Sequence, residues 1–168
     1  MSQDLSPQEL RAHAEWLSSN GASGKQLSKK NADLTGTDLT GANLARAILP
    51  DARLDRATLV GTDFTGADLR GVILEGTDAD GARFINANMR DANLCETSLQ
   101  GAQLDGADLS HAFAEGAQCS GASFTGADLT EADFSDADLD GANLTDAKQG
   151  GLNLSGAEIS DTRGLTRG

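Results

Sequence analysis

The sequence is poor in the residues that fill most globular cores. It has no tyrosine, one tryptophan and five phenylalanines among 168 residues. A polar chain with so few aromatics is disordered unless its apolar residues are regularly placed. Any core must therefore be narrow and built mainly from aliphatic and small side chains.

Cysteines and long apolar runs are also scarce. Two cysteines do not suggest the disulfide framework of a small secreted domain. No segment resembles a membrane span, and the polar first residues, MSQDLSPQEL, contain no apolar signal core. We therefore expect a cytoplasmic protein without a membrane partner.

Positive charge is missing from a long stretch of the chain. The net charge is −13, and residues 91–147 contain twelve acids but no lysine or arginine. Nucleic-acid binding depends on Lys and Arg side chains that neutralise phosphates, so direct contact with nucleic acid is not expected. The partners of this acidic stretch should be proteins.

What the chain has in abundance is one five-residue repeat. Every fifth position from Leu34 to Gly164 gives 27 positions, of which sixteen hold Leu and four hold Phe. We call this the Leu position of each unit; two residues before it is the Ala position, where 20 of 27 residues are Ala. The phase is kept without an insertion, so the pattern predicts one continuous array of equivalent units.

The repeat also indicates how the chain turns. Alternate side chains of an extended segment point to opposite sides, so the Leu and Ala positions face inward together. Five is odd, so the chain must turn once per unit, and Gly fills 15 of the 27 positions two residues after Leu, the corner position. With four units per coil, residues 20 apart stack and one corner column holds Gly41, Gly61, Gly81, Gly101, Gly121 and Gly141. The pattern therefore predicts a β-solenoid.

Small and large core residues compensate for one another when the chain is stacked in this way. Ala79 is followed around its coil by Phe84, and Phe134 lies one coil above Ala114. Cys119 occupies a Leu position, so we expect it to fill the core. Alternating sizes are what a densely packed core requires.

The chain resembles the pentapeptide repeat family, whose motif is A-(D/N)-L-x-x. The motif is met nearly literally at ADLTG, ANLAR, ADLRG, ANLCE, ADLSH and ANLTD, and the resemblance covers residues 32–163. It implies a right-handed quadrilateral β-helix of nearly seven four-unit coils. At about 4.8 Å per coil, the rod would be on the order of 30 Å long.

The two ends differ from the repeat. Ser6 as N-cap, Pro7 as first helical residue and Glu9 form the signature of a helix start, and Asn20–Gly21 forms a stop, so a helix is expected from Pro7 to about Ser19. Leu10, Ala14 and Leu17 would form its apolar stripe, with Trp16 beside it, and would seal the solenoid. The expected division is residues 1–31, a capping helix and linker, and residues 32–168, the β-helix. No comparable cap is visible in the last repeats.

No catalytic, cofactor or metal site is expected. The fragment DADLDG places Asp136, Asp138 and Asp140 like the opening of a calcium loop, but the Glu required at its twelfth position is Ala147. His13 and His111 have no Cys or His at metal-binding spacing. The Asp spacings are a product of the repeat itself.

The candidate binding residues are therefore departures from the repeat on the outside of the rod. Ile73 and Phe113 occupy outward positions on one face two coils apart, with Asn93 between them and Cys95 beside them, and these four form the candidate partner-binding site. Further outward apolar residues are Ile48, Val60 and Ile85. A candidate acidic surface is formed by Asp105, Asp108, Asp128, Asp133, Asp138 and Asp140.

Two functions follow from these features. The first is a non-catalytic protein–protein interaction module that presents an acidic, rod-like surface to a partner protein. The second comes from the resemblance, since some family members mimic DNA and protect DNA gyrase from fluoroquinolones. The uncapped C-terminal coil also suggests a homodimer formed through that end.

Overall fold

The computed structural model describes residues 5–166, which form one α-helix followed by a solenoid. Helix α1 spans Pro7–Ser18. After the helix, one residue of each unit forms a parallel β-bridge with the residue 20 positions later. The series runs from the Ser28–Ile48 bridge to the Asn143–Arg163 bridge. Only single residues pair, so no longer strand exists within the described residues. The spacing of 20 confirms coils of four units.

The same hydrogen bonds recur in successive units. In the Leu34 unit, the N–H of Leu34 donates to the carbonyl of Arg53 (2.7 Å), and the N–H of Arg53 donates back to Ala32 (2.8 Å). The N–H of Thr37 donates to the carbonyl of Leu34 (3.1 Å) and closes a turn whose third residue, Gly36, has φ +66°. A turn with positive φ only at its third residue is type II.

The corner position is therefore the third residue of a turn in every unit from that of Leu34 to that of Ile159. The predicted glycine column is confirmed, and Gly41 and Gly61 in it have φ +66° and +63°. Residues other than glycine adopt the same conformation at other corners, including Arg56 (φ +58°) and Glu131 (φ +58°). The geometry of the coil thus overrides the intrinsic preference of L-residues for negative φ.

The Leu and Ala positions form a continuous core through the rod. Phe64 and Phe84 stack with ring centroids 5.3 Å apart, and Phe124 meets Phe134 edge-on at 5.8 Å. All four rings are buried, as is Cys119. The large residues thus lie among the small ones, as the stacking in twenties predicts.

Threonine replaces alanine at several inward positions without leaving a buried hydroxyl unpaired. The Oγ1 atoms of Thr62, Thr77 and Thr97 each donate to a leucine carbonyl of the preceding coil at 2.7 Å. These hydroxyls are fully desolvated, so the hydrogen bond removes the penalty that burial would otherwise carry.

Helix α1 begins and ends where the sequence predicts. Ser6 is the N-cap; its Oγ accepts from the N–H of Glu9, whose carboxylate accepts from the N–H of Ser6. At the other end, the N–H groups of Asn20 and Gly21 donate to Leu17 and Trp16, which is a Schellman motif.

The predicted apolar stripe of α1 is wrong in one respect. Ala14 is exposed, and Leu10 and Leu17 are only partly buried, whereas His13 is fully buried. The Nδ1 atom of His13 accepts from the N–H of Leu27 at 3.0 Å. Leu27 stands at an Ala position, and in later units the N–H of this position donates to the carbonyl of the preceding Leu position, as from Ala42 to Leu39. Leu27 precedes the first such turn, so the His13 ring supplies the acceptor instead.

The helix is also tied to the first coil by charged side chains. Lys29 forms an ion pair with Glu9 at 2.8 Å, and together with the hydrogen bonds from Ser6 this lowers the pKa of Glu9 to about 2. The guanidinium of Arg46 lies over the Trp16 ring, 5.0 Å from its centroid. Backbone pairing starts at Ser28, ahead of the first A-D-L unit, because pairing requires only the main chain.

The last described coil is less well covered. Leu152 and Leu154 are partly buried, and Ile159 is 45% exposed. Gln149 stands in a Leu position, and its side chain donates to the carbonyl of Gly164 and accepts from the N–H of Thr166. The side chain of Gln149 thus joins the start of this coil to its end.

Candidate interaction surfaces

One face of the solenoid carries the column of outward residues that includes Phe113. Ile73 pairs with Asn93, and Asn93 pairs with Phe113, so the three lie in successive coils. We call this the Phe113 face. Phe113 is 57% exposed, while Ile73 and Asn93 are partly buried. The arrangement is the one that the repeat predicts.

Cys95 lies beside this column and is partly buried. It occupies the position after Leu94, which Glu75 and Glu115 occupy in the coils on either side. Burial raises the pKa of the Cys95 thiol, and the nearby charges of Glu115, Glu75 and Asp133 raise it further. The thiol therefore lies in negative potential, which disfavours its thiolate.

The other outward apolar residues are distributed over different faces. Val60, 36% exposed, belongs to the face whose central column holds Thr58. Ile48 and Ile85 are partly buried, each on a face of its own. None of the three has a second large apolar side chain one or two coils away in its own column.

The predicted acidic surface is less exposed than expected. Only Asp140 of the six predicted residues is exposed, and the other five are partly buried. Their carboxylates accept hydrogen bonds locally: Asp128 from Thr130 and Lys148, which lower its pKa to about 2, and Asp133 from Ser135 and Asn153. Many of the donors are hydroxyl groups. Some belong to the Ser or Thr two residues after the Asp, as Ser110 for Asp108, and others to a Ser in the next coil, as Ser123 for Asp105.

The exposed carboxylates lie mostly at corners and, apart from Asp140, outside the predicted acidic surface. In the stretch without bases they are Asp91, Glu96, Glu115, Glu131, Asp136, Asp140 and Asp146. Apart from Glu115 and Asp140, each stands at a corner position with positive φ. The corner position was visible in the sequence and could have identified them, because a side chain there points away from both adjoining faces.

Most basic side chains lie in the N-terminal half, and several are paired with acids. Arg53 and Asp55 form two hydrogen bonds of 3.2 Å, and Arg70 and Asp68 form two of 2.7 and 2.6 Å. The ion pairs hold the pKa values of Asp55 and Asp68 below their usual range. This half therefore presents a mixed surface, not a basic one.

Possible metal ligands are scattered over residues 5–166. The structure has no group of three His, Cys, Asp or Glu side chains there that could hold an ion. His13 is committed to the Leu27 amide, and His111 is at a corner (φ +61°). An apolar space in the core lined by Phe124, Leu129 and neighbouring side chains is too small for a water molecule.

The described part of the chain has no helix that is long and apolar enough to span a membrane. What the geometry offers is an outside surface with an apolar column on one face and acidic corners.

Comparisons with known proteins identify similar solved structures and a matching family model. Solved structures that are similar include HetL, a pentapeptide repeat protein involved in heterocyst differentiation regulation from the cyanobacterium Nostoc sp. strain PCC 7120. The two are 24% identical over 89% of this chain and 94% of HetL, with a TM-score of 0.42. A pentapeptide repeat protein from the thylakoid lumen of Arabidopsis thaliana is 30% identical over 62% of this chain and 66% of that one, with a TM-score of 0.40.

A trypsin-treated form of QnrB1, a plasmid-mediated fluoroquinolone resistance protein, is 22% identical over 80% of this chain and 83% of that one, with a TM-score of 0.41. No curated protein sequence matches the chain. The family model for pentapeptide repeats matches in eight copies, over residues 30–66, 62–101, 80–113, 102–141 and 117–155. The chain therefore belongs to the pentapeptide repeat family.

Proposed function

We propose that the protein is a non-catalytic interaction module, a right-handed β-helical rod that binds another protein through its outer surface in the cytoplasm. The observation that carries this proposal is Phe113, a large apolar side chain that is 57% exposed to water and shares its column with Ile73. Aligned apolar side chains on a rigid surface are typical of docking sites. A reducing compartment agrees with the two free thiols, Cys95 and Cys119.

The proposal is tested by affinity capture from a lysate of the native host. The double variant Ile73→Asp/Phe113→Asp should lose a partner that the wild-type protein retains. The matched control is Val60→Asp/Ile85→Asp, which adds the same charge on other faces and should retain it. Identical partners for all three proteins would exclude the Phe113 face. A partner held by apolar contact should also survive moderate salt, whereas one held by the acidic corners should not.

A second candidate function is DNA mimicry directed at DNA gyrase or another topoisomerase, with protection from fluoroquinolones. The feature that favours it is the stretch of twelve acids without a base in residues 91–147. At about 4.8 Å per coil this stretch is about 14 Å long, so its acids are spaced about 1.2 Å apart along the axis, against about 1.7 Å for duplex charges.

Length argues against this second candidate. About 14 Å corresponds to only about four base pairs at 3.4 Å each, and the remaining half of the rod carries arginines. Several acids of the stretch are also engaged in local hydrogen bonds. DNA mimicry therefore ranks second.

A gyrase supercoiling assay with and without a fluoroquinolone tests this candidate. A mimic should inhibit supercoiling or protect the enzyme at micromolar protein, and the variant Asp91→Asn/Glu131→Gln should do so less effectively. Neither inhibition nor protection by the wild-type protein would eliminate DNA mimicry.

We also propose that a second copy of the chain is a partner, bound through the last described coil. Support comes from Ile159, Leu152 and Leu154, which are only partly covered there. The first coil cannot take this role in the same way because α1 is packed against it.

A further inference from the structure

Acidic side chains surround the apolar column of the Phe113 face. Glu75 and Glu115 stand in the coils on either side of Cys95, about 5 Å away along the axis in each direction. Glu96 stands at the adjoining corner, and its carboxylate extends over Gly116, where a Cβ would come within 2.8 Å of Oε1. Three carboxylates therefore border the space between Ile73 and Phe113.

These three carboxylates are exposed and lack cationic partners. Glu75, Glu96 and Glu115 form no ion pair with any residue between 5 and 166. Arg53, at the N-terminal margin of the same face, is different because its guanidinium is bound by Asp55. No direct ion pair within residues 5–166 thus neutralises these three carboxylates.

The Cys95 thiol lies close to two of these carboxylates, those of Glu75 and Glu115. The charges of Glu115, Glu75 and Asp133 all raise its pKa, so the three act on one point between the rows of Ile73 and Phe113. A cationic group placed at this point would be attracted by several carboxylates at once.

We propose that the Phe113 face binds a cationic protein segment that carries a large apolar side chain beside Lys or Arg residues. The apolar side chain packs on Phe113 and Ile73, and the cationic groups pair with Glu96, Glu115 and Glu75. This inference rests on the proposed interaction function and adds the chemistry of the partner. An acidic segment or a nucleic acid would be repelled by the same carboxylates.

The spacing sets the direction of the bound segment. Ile73 and Phe113 are two coils apart, about 10 Å along the axis, while the face is only one five-residue unit wide. A segment that contacts both must therefore run along the rod and cross the coils. Its cationic groups lie toward the C-terminal side, because Arg53 and Arg56 occupy the N-terminal margin.

Synthetic fluorescent peptides provide the test, read by anisotropy at low and moderate salt. Three peptides of equal length are used: one with lysines and leucines, one with the same lysines and serines, and one with glutamates and leucines. The lysine–leucine peptide should bind at least about tenfold more tightly than the lysine–serine peptide, and the glutamate peptide should not bind.

Variants of the protein assign the binding to residues. Phe113→Ser should weaken the lysine–leucine peptide about tenfold, and Ile85→Ser, on another face, should not. Glu96→Gln/Glu115→Gln should weaken it and reduce its salt dependence. Asp138→Asn/Asp140→Asn removes the same charge elsewhere and should have little effect.

Three results would overturn the proposal. The first is equal affinity for the lysine–leucine and lysine–serine peptides, and the second is an unchanged affinity in Phe113→Ser. The third is an equal loss of affinity in Glu96→Gln/Glu115→Gln and in Asp138→Asn/Asp140→Asn, which would indicate diffuse electrostatic attraction. If the capture experiment still finds a partner that depends on Ile73 and Phe113, the interaction function stands and only the chemistry assigned to the partner is wrong.

Discussion

At the scale of single residues, the corner position determines which substitutions the rod tolerates. A side chain in the left-handed region costs about 1–2 kcal/mol because its Cβ crowds the following carbonyl. Gly61 has φ +63°, and a Cβ there would meet nothing within 4 Å, so strain is the only cost. Gly150, one residue before a corner, has ordinary φ, and a Cβ there would make a normal contact with Thr130.

Alanine substitution should therefore separate these two glycines. Gly61→Ala is expected to lower the free energy of unfolding by about 1 kcal/mol. Gly150→Ala should be neutral or raise it by a few tenths, because it restricts the unfolded chain at no cost in the fold. Urea unfolding followed by circular dichroism measures both. Equal destabilisation by the two substitutions would contradict a conformational origin.

The two cysteines should differ sharply in reactivity. Cys119 is fully buried in a Leu position, and burial raises its pKa to about 12, so neither access nor ionisation favours reaction. Cys95 is partly exposed. Mass spectrometry after iodoacetamide treatment should find one modified thiol in the native protein and two in denaturant. The variant Cys95→Ser should show none in the native state, and modification of Cys119 there would contradict the packing.

Residue-level predictions from the sequence succeed for the core and only in part for the surface. Inward and outward positions follow from the repeat alone, so Cys119 and the phenylalanines are placed correctly. The acids also occupy outward positions, but the exposed fraction of each depends on which neighbouring donor its carboxylate meets. Asp108 accepts from the N–H and Oγ of Ser110, whereas Asp140 accepts no such bond and is exposed.

At the scale of the helix, α1 combines predictable ends with an unexpected buried face. Capping residues act locally, so Ser6 and Asn20 are identifiable from the sequence. The buried face depends on what the first coil lacks, which is an acceptor for the N–H of Leu27. The periodicity of apolar residues does not reveal that requirement. His13 supplies the acceptor and is buried, whereas Ala14, which the periodicity places on the buried face, is exposed.

The attachment of α1 should weaken in acid. Burial lowers the pKa of His13, the positive charge of Arg46 lowers it further, and the Ala45 carbonyl acts in the opposite direction. The unfolded value is near 6.5, so the stabilisation is complete above that pH. It is lost as the pH falls below 6.5 through the folded-state pKa, because protonated Nδ1 cannot accept from Leu27.

Amide hydrogen exchange of Leu27 at about pH 7 and about pH 5, corrected for intrinsic rates, measures this effect. Protection should fall in acid in the wild-type protein and in His111→Asn, which removes the other histidine. It should be independent of pH in His13→Gln, whose amide oxygen can accept but does not titrate. Unchanged protection of the wild-type protein in acid would refute the role of His13.

At the scale of the whole molecule, a sequence period determines the shape because each unit contacts only its neighbours. The 20-residue register is predictable because stacking with four units per coil gives one unbroken column of glycine corners, from Gly41 to Gly141, whereas three units per coil would interrupt every such column. The identity of a partner is not predictable in this way, since outward side chains are free of the constraint that maintains the period. Function must therefore be sought in departures such as Phe113.

The asymmetry of the two ends predicts limited self-association. The first coil is joined to α1, while the N–H groups of Leu154 and Ile159 have no partner among residues 5–166, next to partly exposed apolar side chains. A second copy can cover this coil with its own, and an end-to-end pair of this kind closes after two chains.

Sedimentation velocity over a range of concentrations should show a monomer–dimer equilibrium for the wild-type protein. Leu154→Asp/Ile159→Asp should remain monomeric, because a desolvated charge would face its counterpart across the contact. Phe113→Asp should dimerise like the wild type, since its face points away from the ends. A wild-type protein that is monomeric at every concentration would exclude pairing through this coil. Loss of association in Phe113→Asp would instead assign it to the side of the rod.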